Sequence, residues 1–424
     1  MKIYRRITGL SLMMAFVGGL IIGSSVVARS GETITVLAAT DKTWIPSITK
    51  DFERKTGIKV NLVLVGWNDL ATKIVASSAA KVGAYDVIES DPGSMTPWVE
   101  AGYLEPIEKR ISNEEKQDLG PNLNMALFPD GHIYGMPWLI DSLHFVYNDK
   151  MLKEAGLAGP PETWDEFVEM SRTLQAAGIA KHAAIFNWVQ HEGEFCNYMV
   201  FLWTHGGKLF KDGNWTMPAF NEKEGVEALD FMQDMYYKYK IVDPGSFSSR
   251  PLECATTVSQ GKVAFTIIWS CVYPVVNDPE KSLVVGQTKI GLIPAKKGLT
   301  TATVDGSETF SIPKNAKNKE GAWKYIKFIC GKEAQKKVLY EHNILPVWMS
   351  LFTDPEINKD IPQMRAFGEQ RKFLKFRPMV AWYDEFSHIM QVAILEALTR
   401  EKSSKKALDD AARAVKELVK ERMR

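Results

Sequence analysis

Six tryptophans, Trp44, Trp67, Trp138, Trp188, Trp269 and Trp348, stand at the ends of apolar runs or in the loops that follow them, where a core ring is less expected. Interspersed with them are Asp41, Asp91, Ser94, Asp141, Gln190 and Glu308. Flat apolar faces beside hydrogen-bonding side chains suit a ligand with apolar C–H faces and a rim of hydroxyls, which describes a sugar. Paired acids could also serve glycoside hydrolysis, one of them protonating the leaving oxygen. Equally, they could only accept hydrogen bonds from hydroxyls, a task that needs no fixed separation. Both uses stay open on the residues alone, and each ring taken singly has an ordinary use in a core, its N–H on a backbone carbonyl.

Other chemistries lack their signatures. The chain contains no G-x-S-x-G, no complete P-loop, no G-x-G-x-x-G and no H-E-x-x-H. His182, His191 and His205 share a region with Glu192 and Glu194, but without metal-ligand spacing, so neither a metal nor a cofactor is expected. Tyr236-Tyr237 resembles paired tyrosine ligands for iron, yet lies inside the helical pattern ALDFMQDMYYKYK, which favours packing. A polyamine would also suit rings beside carboxylates. A glycerol phosphate would want cations, and only Lys42 and Arg250 are obvious ones.

These residues need a scaffold that brings distant strand ends together. ETITVLAA reads as a strand through Ile34, Val36 and Ala38; a helix follows with Pro46 in its first turn and Gly57 at its end. IKVNLVLV is a second strand, Trp67 to Ala79 a second helix, and YDVIES a third strand leading to Asp91 and Ser94. This βαβαβ rhythm implies parallel strands with right-handed crossovers and ligands at their carboxyl ends. In PWLIDSLHF the faces alternate: Trp138, Ile140, Ser142 and His144 on one, Leu139, Asp141, Leu143 and Phe145 on the other. Each face mixes polar with apolar, as on a strand that leaves one lobe for another and lines the space between them. A second lobe opens at Thr163-Trp164-Asp165-Glu166, a capping box, and includes strands delivering Trp188, Gln190 and Trp269. ETFSIPK, which starts at Glu308, is a second candidate crossing, and Leu345–Phe352, holding Trp348, a third. Helices at 384–399 and 403–423 close the chain, the latter with Ala407, Ala411, Val415 and Leu418 on one face.

At 424 residues and 45% hydrophobic content, two ordinary domains with full cores are affordable. Lys2, Arg5 and Arg6, the apolar run Ile7–Ile22 and the small residues up to Ala28 read as a secretory signal over residues 1–28. No Cys near that point offers a lipid anchor, so a periplasmic or extracellular chain is expected. Without the three leader cations the formal charge of +1 becomes −2, which gives no reason to expect nucleic acid or a membrane surface as partner. Cys196, Cys254, Cys271 and Cys330 form no C-x-x-C unit and read as buried thiols; the one bridge worth testing joins Cys254 to Cys271.

FERKTGIKV, YDVIESDPGSMTPWVEAGYLEPI, YGMPWLIDSLHFVYNDKMLKEAGL with PPETWDEF, QGKVAFTIIW, NKEGAWKYIKFI and SSKKALDDAARAV occur in that order. In this series the chain resembles the sugar-type extracellular solute-binding proteins of ABC importers, similar in plan to maltodextrin-binding protein. The resemblance implies the type II periplasmic-binding-protein-like fold, two α/β lobes joined by a multi-crossing hinge with the ligand cleft between them. The lobes would divide as 29–140 plus about 305–345, and about 141–304 plus 346–424. It implies a non-enzymatic, monomeric receptor that closes on a mono- or oligosaccharide and delivers it to the permease subunits; an envelope glycoside hydrolase is the rival from another class. It further implies that Asp141 grips ligand hydroxyls, that Trp44, Trp67, Asp91, Trp188, Trp269 and Trp348 surround the cleft, and that Trp382 and Tyr383 join them. Where relatives carry a stacking ring just after the strand ending in WSCV, this chain has Cys271 and Tyr273.

Overall fold

The computed structural model describes residues 32–422 apart from Asp41, Thr43 and residues 212–213, and leaves out the side chains of Trp67 and Asn68. Residues 1–28, read above as a secretory signal, and Asp41 therefore lie outside the described residues. Thirteen strands are described: β1 (Thr33–Ala39), β2 (Lys59–Val65), β3 (Val87–Ser90), β4 (Met136–Leu139), β5 (Leu143–Asn148), β6 (Ala184–Ile185), β7 (Phe210–Lys211), β8 (Asn214–Pro218), β9 (Phe265–Trp269), β10 (Thr288–Gly291), β11 (Thr303–Val304), β12 (Glu308–Ser311) and β13 (Leu374–Lys375). The first sheet has the order β2-β1-β3-β12-β4, the second β10-β5-β9-β6. β1 runs parallel to β2 and β3, whereas β12 is antiparallel to both its neighbours.

The period of two in β1 decides the layering of the first sheet. Ile34, Val36 and Ala38 enter one apolar layer with Ile45, Ile48 and Phe52 of the helix Ile45–Thr56, while Leu37 and Ala39 enter the opposite layer with Leu70 and Ile74 of the helix Trp67–Ser78. Because β2 and β3 flank β1 on opposite sides, right-handed connections send the two helices to opposite faces. Gly57, at φ +74°, ends the first helix in the left-handed region, its N–H on the Glu53 carbonyl at 2.9 Å. One face of the second sheet is covered by its own core, in which Phe145, Phe167, Phe186, Phe201 and Phe265 are fully buried, while Val146, Ile185, Ile268 and Ile290 of the other face join the apolar cluster of the first sheet. The expected capping box at Thr163 and Glu166 is formed and starts the helix Trp164–Ala176 of this layer.

Three passages join the sheets. Residues 140–142 carry the chain from β4 in the first sheet directly to β5 in the second. The return runs beside it, with Ser142 bridged to Asp305 and Glu308 opposite Leu139. The third passage differs from the expected one. Leu345–Phe352 does not cross: the Trp348 indole N–H donates to the Cys330 carbonyl at 2.7 Å, Val347 N–H to Gln335 Oε1 at 3.0 Å, and Asn122 Nδ2 to the Val347 carbonyl at 2.8 Å. Trp348 and Val347 are thereby held on the first half, and Ser350 joins them there through Asp118, although residues beyond 346 were expected in the second lobe. The crossing lies later, before the helix Gln363–Arg371, whose Phe367 ring packs on His144 of β5 and on Tyr273, centroids 4.8 and 5.6 Å apart; β13 then pairs with β11. The helices Tyr383–Leu398 and Ser404–Arg422 then pack on the second core, burying Ala407, Ala411 and Val415.

All four cysteines are free, so the Cys254–Cys271 bridge is not made. Cys254 is buried within an apolar layer, and Cys271 stands half-buried beside Asp141, whose carboxylate accepts its backbone N–H at 3.3 Å. Burial pushes both thiols above their ordinary range. Thiol titration of the unfolded, unreduced protein is therefore expected to find four reactive groups per chain; a count of two would restore a bridge.

Candidate functional site

Polar side chains gather where the three passages run between the sheets. Asp141 is their centre. Its Oδ1 accepts the Ser142 N–H at 2.9 Å, the Ser270 hydroxyl at 2.5 Å and the Cys271 N–H at 3.3 Å, while its own N–H donates to Ser307 Oγ at 3.1 Å. Its carbonyl accepts the Gly306 N–H at 3.1 Å, and Ser307 donates to Asp305 Oδ1 at 2.7 Å. Burial raises the Asp141 carboxyl above the usual carboxylate range, against the Cys271 and Ser270 donors and the Lys42 charge. Ser142 Oγ and His144 Nε2 are 2.9 Å apart; burial, reinforced by the charge of Arg371, drives His144 down to about 3, so the imidazole is neutral.

Lys42, at the carboxyl end of β1, pairs with Glu308 at 3.1 Å, and both are buried. Glu308 lies against Glu89, whose Oε2 accepts the Ala39 N–H at 2.6 Å. Burial holds the Glu308 carboxyl well above its ordinary range; Lys42 opposes this and the Glu89 neighbour adds to it. Two arginines complete the seam, and nothing in their local sequence sets them apart. Arg371 Nη2 donates to Asn122 Oδ1 at 2.9 Å. Arg377 is buried, with Nε on the Asp305 carbonyl at 3.1 Å, both terminal nitrogens on Asp91, the nearer pair at 2.5 Å and the other at 3.0 Å, and Nη1 on Glu192 Oε1 at 3.3 Å. Asp91 ends β3 of the first sheet; Glu192 opens the helix Glu192–Thr204 of the second core. One guanidinium therefore ties the two halves together. Tyr383 and Ser387 both donate to Glu192, and Ser94 Oγ donates to Asp384 Oδ1 at 3.1 Å.

Asp91, Ser94, Asp141, Trp269, Glu308 and Tyr383 thus meet at the seam. Trp269 is half-buried, its ring laid on Gly306 so closely that a Cβ there would fall 2.4 Å from Cζ3. The other described indoles do not share a crevice, contrary to expectation. Trp44 and Trp138 pack together under the first sheet, centroids 6.1 Å apart, with Phe310 and His342 as further neighbours. Trp348 is buried there too, its N–H already satisfied. Trp382 packs on Phe210 and Phe386 in the second core, and Trp188 is fully buried between Phe186 and Phe247. The reason is area: a Trp buries more apolar surface than any other side chain, and these two cores take it. Gln190 is exposed, and Trp67 starts its helix with its side chain outside the description. No group of acids, His and Cys able to hold a metal occurs among the described residues.

A model of the family described as "Bacterial extracellular solute-binding protein" matches residues 35–336. A putative binding protein of Brucella abortus (strain 2308) is 24% identical over 415 residues, covering 95% of this chain and 98% of the relative. Among solved structures, maltose-bound MalE3 of T. maritima is 25% identical with a TM-score of 0.83, covering 92% of this chain and all of that one. An ABC transporter solute-binding protein of Thermotoga lettingae, bound with α-D-tagatose, is 26% identical with a TM-score of 0.80, at 91% and 99% coverage.

Two outcomes are expected of this geometry. Arg377→Gln loses the charge that joins Asp91 to Glu192, so the ligand-free variant should show a larger radius of gyration by small-angle scattering; an unchanged radius would mean that the guanidinium does not hold the halves together. The second concerns Glu194, which burial pushes up to about 9 from an ordinary 4.5. The native state keeps this proton up to about pH 9, while the unfolded chain releases it near 4.5. Between these values the folded form binds more protons, so stability falls as pH rises, by up to about 1.4 kcal/mol per unit. Denaturant titrations of wild type and Glu194→Gln at several pH values should diverge with that sign, and parallel curves would exclude a protonated Glu194.

Proposed function

The chain belongs to the bacterial extracellular solute-binding proteins, and from that premise we propose that it is the receptor of an ABC importer that captures a carbohydrate between two α/β lobes. The observation that carries this reading is the seam itself, in which side chains of both sheets' surroundings converge on Asp141, Glu308 and Arg377 beside the Trp269 ring. Hydroxyls, carboxylates and one half-buried indole are the means by which neutral polyhydroxy compounds are held. Relatives that bind maltose and α-D-tagatose support the same class. In this reading the first lobe comprises the strands before residue 140, residues 305–345 and the segment up to about residue 360, and the second comprises the rest. Residues 1–28 act as the export signal, and the receptor works as a monomer outside the cytoplasmic membrane, handing its ligand to the permease subunits.

The work done is a shift of population and not a reaction. Sugar contacts on both lobes favour the closed arrangement; a ligand that touched one lobe would favour neither. Capture from dilute surroundings calls for a dissociation constant on the order of micromolar, about −8 kcal/mol. The arginines argue against a glycerol phosphate, because Arg377 is engaged by Asp91 and Glu192 and Arg371 by Asn122. The same pairing engages the acids that would attract a polyamine.

A thermal-shift screen over monosaccharides, maltodextrins, polyols, spermidine and phosphorylated polyols is the direct test, since only ligands of the native state raise the melting temperature. Neutral saccharides or polyols should give the shifts, with no new reducing ends on incubation with oligosaccharides; a response confined to charged compounds, or turnover, would refute the reading. Against the best saccharide, Trp269→Ala should weaken calorimetric binding by about 1 kcal/mol or more through lost apolar contact. Unchanged affinity would remove Trp269 from the site.

A further inference from the structure

Six side-chain polar atoms in one short region have no hydrogen-bond partner among the described residues: both ends of the Asn187 amide, Trp188 Nε1, both Glu194 oxygens and Asn197 Oδ1. All four side chains are at most 1% exposed. Buried polar groups in native proteins are nearly always paired, so this concentration calls for a partner from outside the fold. The groups are neighbours. Asn197 Nδ2 donates to the Gly193 carbonyl at 3.0 Å, next to Glu194 in the first turn of the helix Glu192–Thr204. A Cβ at Gly193 would fall 2.2 Å from Asn187 Nδ2, so the missing side chain lets that amide lie against the helix. Trp188 follows Asn187 and is fixed by its backbone N–H on the Ser246 carbonyl at 3.1 Å.

This region lies against the seam. β6, which precedes Asn187, is parallel to β9, so its carboxyl end emerges at the same edge as Trp269. Glu192, in the same helical turn as Glu194, touches Arg377 and Tyr383. The donor and acceptor inventory then selects the guest. Asn187 Nδ2 and the indole N–H donate, Asn187 Oδ1 and Asn197 Oδ1 accept, and a neutral Glu194 carboxyl does both. No full charge is presented. A phosphate or carboxylate would mainly accept and an ammonium would only donate, leaving half of the inventory unmet; a hydroxyl does both.

We propose that Asn187, Trp188, Glu194 and Asn197 form an inner subsite for the uncharged, hydroxyl-bearing end of the ligand, entered from the seam between the lobes. This rests on the receptor reading above and adds where one end of the guest is held. The test uses maltose and D-mannitol as neutral probes, with D-mannitol 1-phosphate and spermidine as charged ones. Whichever neutral probe binds wild type best is titrated by calorimetry into Glu194→Gln, Glu194→Leu and Asn187→Leu. Glu194→Gln keeps a neutral donor and acceptor and should bind within about threefold of wild type, whereas each Leu variant should lose about tenfold or more. Without probe, Glu194→Leu should melt above wild type, because an unpaired buried carboxyl has been replaced by apolar atoms; this shows that it folds and separates lost binding from lost structure. Should Glu194→Leu and Asn187→Leu bind as tightly as wild type, buried water satisfies these atoms and the subsite is wrong while the receptor reading stands. A wild type that answers only to the charged probes, or to none, overturns both.

Discussion

Two sheets that share no strand must be joined by backbone that leaves one core and enters another, and such backbone needs hydrogen-bond partners that neither sheet supplies. Asp141 meets that constraint. Its carboxylate takes two backbone N–H groups and a hydroxyl, while its own N–H and carbonyl engage Ser307 and Gly306 of the returning passage. The outgoing and returning chains are thus held side by side by one buried acid, and leaving such a group unpaired would cost about 1–3 kcal/mol or more. The acid sits where it does because the crossing needs it, and the same position puts it within reach of anything that enters between the halves.

The rest of the seam follows from that placement. With the crossing fixed, β1 and β3 end facing it, and they deliver Lys42 and Asp91; the second sheet delivers Trp269, and the helix that opens beside it delivers Glu192. Arg377, just after β13, closes the circuit between Asp91 and Glu192. Three narrow connections resist sliding yet permit bending, which is the repertoire of hinge closure. A ligand that contacts both halves shifts the population between their arrangements by its difference in affinity for them.

What was legible in the sequence is what local pattern encodes. The alternation in β1, the αL position of Gly57, the capping box at Thr163 and the mixed faces around Asp141 each announce themselves within ten residues, and together they fix two α/β layers with a strand passing between them. The site was only partly legible. Arg371 and Arg377 stand in QRKFLKFRPMV among Lys372 and Lys375, which carry the same charge and face solvent, and the Asp91 partner of Arg377 is 286 residues away. The tryptophans misled for the opposite reason: a loop or strand-end position marks where the backbone turns, not where the ring goes, and most of these rings turn inward. The misplaced third crossing has the same origin, since an apolar stretch with a Trp looks alike whether it spans two lobes or packs onto one.

Acids in this protein therefore do two kinds of work, separated by whether burial leaves them a counter-charge. Asp91 and Glu192 face one guanidinium, which joins the two halves through them. Glu194 has no such neighbour, and Glu308 shares Lys42 with a second carboxyl; burial favours the neutral form of both. A neutral carboxyl is a compact donor and acceptor that adds no net field, so it can stand in a dry wall without attracting ions that would compete with an uncharged guest. Ion pairs at the seam and a neutral Glu194 beside it give a receptor that can be closed by charge while selecting by hydrogen-bond pattern, which are separable properties because different carboxyls carry them.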